Sequence, residues 1–220
     1  MSNSRVFASN KDIYKTAFLN WRMSKRDIPE NLYEMGKAFG NGAMALIDKC
    51  LDDNKHHEAD ALIFPILYGV DQCIEVMIKA ILCCLDMLEG SKGGVSQTHN
   101  VFQLLSLMKA DIKKHAKRTK GLEKHLEPIQ TYLDELNLYI GVKTGQPHMD
   151  FARYPIDTDG NPYFYVVSRG NITVDLDVLK EKLQGIMDSL DAIYCGCSVR
   201  RDEPYESLSM MESTEDGYGH

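Results

Sequence analysis

The sequence predicts an all-α fold, an antiparallel bundle of about five to six helices with a small β-hairpin inserted before the last one. Three observations support this prediction. Apolar residues recur at helical spacing through most of the 220-residue chain. Residues 58–88 are apolar on almost every side, which is typical of a helix at the centre of a bundle. Only near residues 153–174 does the pattern change to the alternation that indicates a hairpin.

The length of the chain suffices for one good core with appendages. We expect N-terminal helices within residues 1–54 to pack on the bundle. The bundle itself should occupy residues 55–197, with the hairpin near 153–174. Residues 198–220 are polar and acidic, and we expect them to form a disordered tail.

Two helices are expected before the central one. Residues 11–23 form the first, because five of their apolar side chains share one helical face. These side chains are Ile13, Tyr14, Ala17, Phe18 and Trp21. Pro29 suits the first turn of a second helix, which should run to about Leu51. Gly40 and Gly42 weaken that second helix locally.

The third helix, residues 58–88, is interrupted by Pro65, which should either kink it or mark its true start. It carries a single polar stripe. The members of this stripe are Gln72, Glu75, Lys79 and Asp86. Glu75 stands four residues before Lys79, which is the favourable order for an ion pair on one helix face.

A fourth helix is expected from Thr98 to about Arg118, with the Thr98 hydroxyl accepting a hydrogen bond from a first-turn N–H. His99 then lies in the first turn, near the polar stripe of the third helix. A fifth helix should occupy roughly residues 121–141, where leucines and isoleucines recur at helical spacing.

The stretch "RYPIDTDGNPYFYVV" consists of two extended runs about an Asp-Gly turn, which predicts the β-hairpin. The following "NITVDLD" is a candidate third strand. The last helix should run from about Val178 to Tyr194, with Asp175 or Asp177 as its cap.

The net charge of −7 argues against a general binder of nucleic acids or anionic membranes, because such binding depends on many Lys and Arg side chains. It leaves room for a small basic site. The N-terminus lacks an apolar core of signal-peptide length. The most apolar run, residues 61–70, is too short to span a bilayer. We therefore expect a cytoplasmic protein with reduced cysteines and no membrane association.

No common metal or cofactor motif is present. The adjacent His56 and His57 point to different faces of a helix, and the Cys195 and Cys197 pair has no second ligand pair at zinc-finger spacing. A phosphate-binding glycine loop and a Gly-x-Ser-x-Gly elbow are also missing from the sequence. The sequence therefore predicts neither a metal nor a cofactor.

Three motifs in a fixed order resemble the HEPN family of helical-bundle domains. They are "IEVMIKAIL" at residues 74–82, "THNVFQLL" at 98–105 and "ARYP" at 152–155. One branch of that family has Glu-x-x-x-Lys on a helix, then Thr-His-Asp/Asn followed by a Leu-Leu pair, then Arg-Tyr-Pro. The resemblance covers about residues 55–195. The matching residues are Glu75, Lys79, Thr98, His99, Asn100, Leu104, Leu105, Arg153, Tyr154 and Pro155.

The resemblance implies a metal-independent ribonuclease that acts as a toxin or in antiviral defence. Such proteins are often paired with a small nucleotidyltransferase antitoxin. In the family, an Arg followed after four to six residues by a His forms the active site, usually doubled across a homodimer. The His would move a proton at the 2′-hydroxyl or the leaving oxygen, while the Arg would stabilise the phosphate charge.

This chain departs from the family pattern, because no His follows Arg153 at that distance. His148 lies five positions before Arg153, in the reverse order. Arg118 and His125 have the required spacing, with six residues between them, but they lie on either side of the turn between two predicted helices. Both pairs are candidate catalytic residues.

A second set of polar residues is a candidate binding site. Gln72, Glu75, Lys79, His99 and Arg153 would form a polar pocket if they converge at one end of the bundle, with Tyr154 beside them. Such a pocket suits a nucleotide or an RNA phosphate.

Two functions follow from these candidates. One is a HEPN-like toxin or defence effector that cleaves RNA at a homodimer interface. The alternative is a non-catalytic HEPN-like module that binds a nucleotide or a protein partner, such as the antitoxin or another defence protein. Glu75 and Lys79 can equally be an ordinary ion pair, and Arg153 can simply fasten the hairpin to the bundle.

Overall fold

The computed structural model describes residues 6–19, 27–140, 152–156, 159–162, 170 and 172–202. Within these residues the chain forms five α-helices and two short 3₁₀ helices. The α-helices are α1 (Ile28–Asp52), α2 (Ala59–Met87), α3 (Val101–Lys114), α4 (Glu127–Ile140) and α5 (Leu176–Asp202). The 3₁₀ helices are Ile13–Lys15 and Glu123–His125. The prediction of a mainly helical fold is confirmed at this level.

Helix α2 lies at the centre of the bundle, as its sequence predicts. Every residue from Cys73 to Leu85 is buried, and α1, α3 and α5 all pack against this helix. Pro65 lies inside α2, six residues after its start at Ala59, so this proline does not mark the beginning of the helix. Burial on all sides follows from the sequence, because an apolar residue on any face of α2 gains by leaving water.

Helix α1 lies against α2 along a line of glycines. A Cβ atom added at Gly36 would stand 2.5 Å from Met77 Cγ and 3.0 Å from the Met77 backbone nitrogen. A Cβ atom at Gly40 would meet the sulfur atoms of Met187 and Cys73 within 3.0 Å. Gly40 therefore does more than weaken α1, because it allows the helices to approach closely. Gly42, by contrast, faces open space.

The other helices complete one core. Helix α5 packs against α2, α1 and α4, and α3 packs against α2. Their fully buried side chains include Leu104, Met108, Ile129, Leu183 and Leu190. These residues lie at the helical spacings from which the sequence predicted their helices, so the apolar stripes and the core agree.

The predicted helix over residues 11–23 is wrong for the residues that the structure describes. Only Ile13–Lys15 form a 3₁₀ turn, with the Asp12 side chain accepting from the Tyr14 N–H and with extended backbone at Thr16. The apolar side chains of this segment are not buried, so a helix here would lack the packing that stabilises most amphipathic helices. Trp21 lies outside the described residues.

The predicted hairpin stays a prediction, because the described residues of this region contain a single isolated bridge. Ile156 and Pro162 form an isolated antiparallel bridge around Gly160, whose φ of +81° suits glycine. No strand occurs in the described parts of residues 153–174, and 163–169 lie outside them. Residues 172–175, part of the candidate third strand, lead into α5 instead.

Helix α5 is longer at both ends than the sequence predicts. The Asp175 side chain accepts from the N–H groups of Asp177 and Val178, each at 3.1 Å, so Asp175 is the cap. The helix continues to Asp202, past the boundary at 198 that we predicted for the tail. The rest of the predicted tail lies outside the described residues.

One helix in the described part of the chain, α2, is long and apolar enough to cross a membrane by length and composition alone. Of its most apolar window, 56% is buried inside the bundle, as in the core helix of a soluble protein. The structure is thus compatible with a soluble bundle, and the cytoplasmic location stays a prediction.

We predict opposite effects for two glycine substitutions in α1. Gly36→Ala should lower the free energy of unfolding by about 1–3 kcal/mol, because the added Cβ overlaps Met77 and its backbone. Gly42→Ala should raise it by about 0.5–1 kcal/mol, because alanine is the better helix former and meets no neighbour. Urea unfolding followed by circular dichroism measures both. Equal effects of the two substitutions would contradict the close approach of α1 and α2.

Candidate functional site

A charged pair lies in the middle of the most buried stretch of α2. Glu75 is 5% exposed and Lys79 is 6% exposed. Lys79 Nζ donates a hydrogen bond to Glu75 Oε1 at 2.8 Å, one helical turn away. Removal of either charge from water is costly unless a partner of opposite sign stands beside it. The i, i+4 spacing supplies that partner within the helix itself.

His99 adds a third group to this pair. Its Nδ1 lies 2.8 Å from the same Glu75 oxygen, and its side chain is 81% exposed. Glu75, Lys79 and His99, here called the Glu75 cluster, therefore reach from the core to the surface. The sequence predicted that His99 lies near the polar stripe of the central helix, and this contact confirms it.

The start of α3 fixes the backbone on which His99 stands. The cap is Asn100, whose side-chain oxygen accepts from the N–H groups of Phe102 and Gln103 at 3.1 and 3.0 Å. The prediction that Thr98 caps this helix is wrong. The Thr98 hydroxyl instead accepts from the Asn100 N–H and donates to the Gln103 side chain. His99 consequently precedes the helix and is not part of its first turn.

The cluster orients the imidazole of His99. An ionised carboxylate only accepts hydrogen bonds, so beside an ionised Glu75 the proton of the neutral imidazole lies on Nδ1, which donates to the carboxylate. This leaves Nε2, on the far side of the exposed ring, for a ligand. The open Nε2 of the neutral ring can accept a proton, and in the protonated ring it can donate a hydrogen bond to an anion.

The other predicted binding residues are Gln72, Arg153 and Tyr154. Gln72 is half-buried, one turn before Glu75 on α2. Arg153 and Tyr154 are exposed, and the Arg153 guanidinium carbon lies 5.5 Å from the centre of the Tyr154 ring. Convergence of these three residues with the Glu75 cluster stays a prediction.

The candidate catalytic pair with the required spacing has a structural contact. Arg118 is half-buried, and its Nη1 donates to the Leu88 carbonyl at 3.2 Å, where α2 ends. This bond fastens the loop after α3 to the central helix. His125 closes the 3₁₀ helix Glu123–His125 and is also half-buried. His148 lies outside the described residues.

The sequence did not reveal a second polar cluster, which joins α1 to α5. The Tyr33 hydroxyl donates to Asp191, and Lys37 Nζ lies 3.0 Å from that hydroxyl and 3.3 Å from Asp191 Oδ1. The Tyr33 ring stacks on Tyr194 with 4.1 Å between the ring centres. Burial and the Asp191 hydrogen bond raise the pKa of Tyr33. The four-residue spacing of Tyr33 and Lys37 indicates that they share one helix face. Asp191 is distant in the sequence, so the spacing does not reveal that it joins them.

Among the described residues, no group of three His, Cys, Asp or Glu side chains is arranged to hold a metal ion. Comparisons with protein-family models, with curated protein sequences and with solved structures gave no match.

We predict strong coupling between the two buried charges. Lys79→Met should lower the free energy of unfolding by about 3–5 kcal/mol, because it removes the buried cation beside the Glu75 carboxylate. Glu75→Leu should lower the free energy of unfolding by a similar amount, because it leaves the buried Lys79 ammonium without its carboxylate. The double variant, which removes both charges, should recover most of this loss. Urea unfolding of the four proteins gives the coupling energy.

His99→Ala is the control for this cycle. It should change the unfolding free energy by less than about 0.5 kcal/mol, because the ring is largely exposed. Additive losses in the double variant would show that Glu75 and Lys79 do not stabilise each other.

Proposed function

We propose that this chain is a HEPN-like module that binds the phosphate group of a nucleotide or an RNA at the open end of the Glu75 cluster. The observation that carries this proposal is the His99 imidazole, which is held by a buried carboxylate on one side and exposed on the other. A side chain held in one orientation loses less freedom when it binds than one that moves freely.

The surroundings of His99 favour an anion. The residue immediately precedes the cap of α3, so its ring stands near the positive end of that 14-residue helix. Lys79 offsets the charge of Glu75, and protonation of His99 therefore adds a positive charge to the cluster. An anion on Nε2 then gains both a hydrogen bond and a charge interaction.

This local site agrees with an acidic chain. A net charge of −7 opposes binding along an extended phosphate backbone. A single phosphate at one imidazole requires only a local positive charge. We further propose that the module is cytoplasmic, forms a homodimer, and has a nucleotidyltransferase-type antitoxin or another defence protein as its partner.

We expect adenosine monophosphate to bind wild-type protein and to bind His99→Ala at least about tenfold more weakly, since a hydrogen bond to a charged group contributes about 1.5–3 kcal/mol. Isothermal titration calorimetry measures both affinities.

His57→Ala is the matched control, because His57 is also exposed but lies in the loop between α1 and α2. It should bind like wild type. Equal affinities of His99→Ala and wild type would refute the proposed site.

Metal-independent RNA cleavage is the second candidate function, and the orientation of His99 favours it. A carboxylate-held imidazole can take the proton from a 2′-hydroxyl as that oxygen attacks the adjacent phosphorus. The bond from phosphorus to the 5′-oxygen of the next nucleotide then breaks, which leaves a 2′,3′-cyclic phosphate, and the leaving oxygen takes a proton from the imidazolium or from water. The assay measures cleavage of a structured RNA by the protein in the presence of a metal chelator. Loss of cleavage in His99→Ala would support this role. Loss in Arg118→Ala, Arg153→Ala or His148→Ala, with His99→Ala active, would assign it to the other candidate residues.

A further inference from the structure

Residues 6–19, here called the N-terminal arm, expose an unusual number of large apolar side chains. None of the residues in its 3₁₀ turn is buried, and Phe7 is 88% exposed. The exposed side chains are Val6, Phe7, Ile13, Tyr14, Phe18 and Leu19. Such a concentration of exposed apolar surface in a short segment marks a site of interaction with another molecule.

The arm nevertheless has a defined local shape. The Asn10 N–H donates to the Thr16 hydroxyl oxygen at 3.0 Å, across six residues. The Asn10 side chain accepts from the Asp12 N–H, and the Asp12 side chain accepts from the Tyr14 N–H. These bonds fold the middle of the arm into a compact turn. A partner that binds it would therefore have less chain to order.

A cavity of about 160 Å³ lies between α2, α4 and the start of α5. Its walls are mainly apolar, and the side chains at its mouth are partly exposed. The residues that matter here are Leu67, Leu136, Tyr139, Val174, Val178 and Leu179. The ion pair between Lys182 and Glu135 stands at its edge, with Asp175 beside it.

The size of the cavity fits a single aromatic ring. An apolar cavity of about 150 Å³ in another protein binds benzene. Phe7 offers such a ring, and unlike a tyrosine it has no hydroxyl that needs a hydrogen-bond partner inside the cavity.

The charges of the arm and the cavity are also complementary. The arm carries Lys11, Asp12 and Lys15, which leaves one net positive charge. The cavity edge carries Glu135, Asp175 and Lys182, which leaves one net negative charge. An arm that lies across the edge can therefore place a lysine beside Glu135 or Asp175.

We propose that the N-terminal arm of one copy of this chain binds a second copy by inserting Phe7 into the cavity between α4 and α5. Because each copy carries both the arm and this cavity, two copies can exchange arms about a two-fold axis, which closes the assembly as a dimer. The exchange covers apolar surface that a single chain leaves in water. It depends on neither His99 nor any ligand.

Sedimentation equilibrium of the full chain tests this proposal. Wild type should have twice the chain mass of 24.9 kDa. Phe7→Ser on the arm and Val178→Glu at the cavity mouth should each raise the dimer dissociation constant at least about tenfold, since both remove the apolar contact. Val199→Ser is the matched control, because Val199 is an exposed valine on α5 outside the cavity lining. It should dimerise like wild type.

A mixture of the two variants separates exchange between copies from binding within one chain. The Phe7→Ser copy keeps an intact cavity and the Val178→Glu copy keeps an intact arm, so together they restore one of the two contacts. The mixture should therefore dimerise more tightly than either variant alone, while circular dichroism shows unchanged helix content. A monomeric wild type, a dimer that survives both substitutions, or a mixture no tighter than its components would overturn the proposal.

Discussion

The burial of α2 on every side from Cys73 to Leu85 is the constraint on which the rest of the bundle depends. A helix that is apolar around its whole circumference needs partners in several directions, and α1, α3 and α5 supply them. Helix α1 approaches α2 where Gly36 and Gly40 lack the side chains that would hold the helices apart. The other helices need only one apolar face each, and α2 determines which way each face points.

The same burial explains the position of the Glu75 cluster. Charges inside such a helix persist only as a pair, and the i, i+4 spacing of Glu75 and Lys79 satisfies this within α2. Glu75 retains capacity to accept a further hydrogen bond, and His99 uses it from the loop before α3. A core requirement thereby fixes the orientation of a surface imidazole. This link between stability and ligand contact is the basis of the proposed phosphate site.

The sequence predicted the central helix within one residue at each end, because a long run of apolar residues indicates a buried helix whichever elements pack around it. It also predicted the proximity of His99 to the polar stripe. The cap of α3 was mistaken because Thr98 and Asn100 are both good capping residues, and only the loop geometry decides between them. The N-terminal helix was mistaken because helical spacing predicts a helix only where a surface exists to bury its apolar face. The cluster around Tyr33 joins two helices distant in the chain, which local patterns do not reveal.

The contact between Glu75 and His99 is tested most directly by the imidazole nitrogen spectrum of His99 in ¹⁵N-labelled protein, with Glu75→Gln for comparison. Neutral His99 should carry its proton on Nδ1, His57 should not share this preference, and adenosine monophosphate should shift the Nε2 resonance of His99. Glu75→Gln should weaken the Nδ1 preference. A His99 ring with the same mixture of tautomers as His57, or an Nε2 resonance that is unchanged by the nucleotide, would refute the proposed phosphate site.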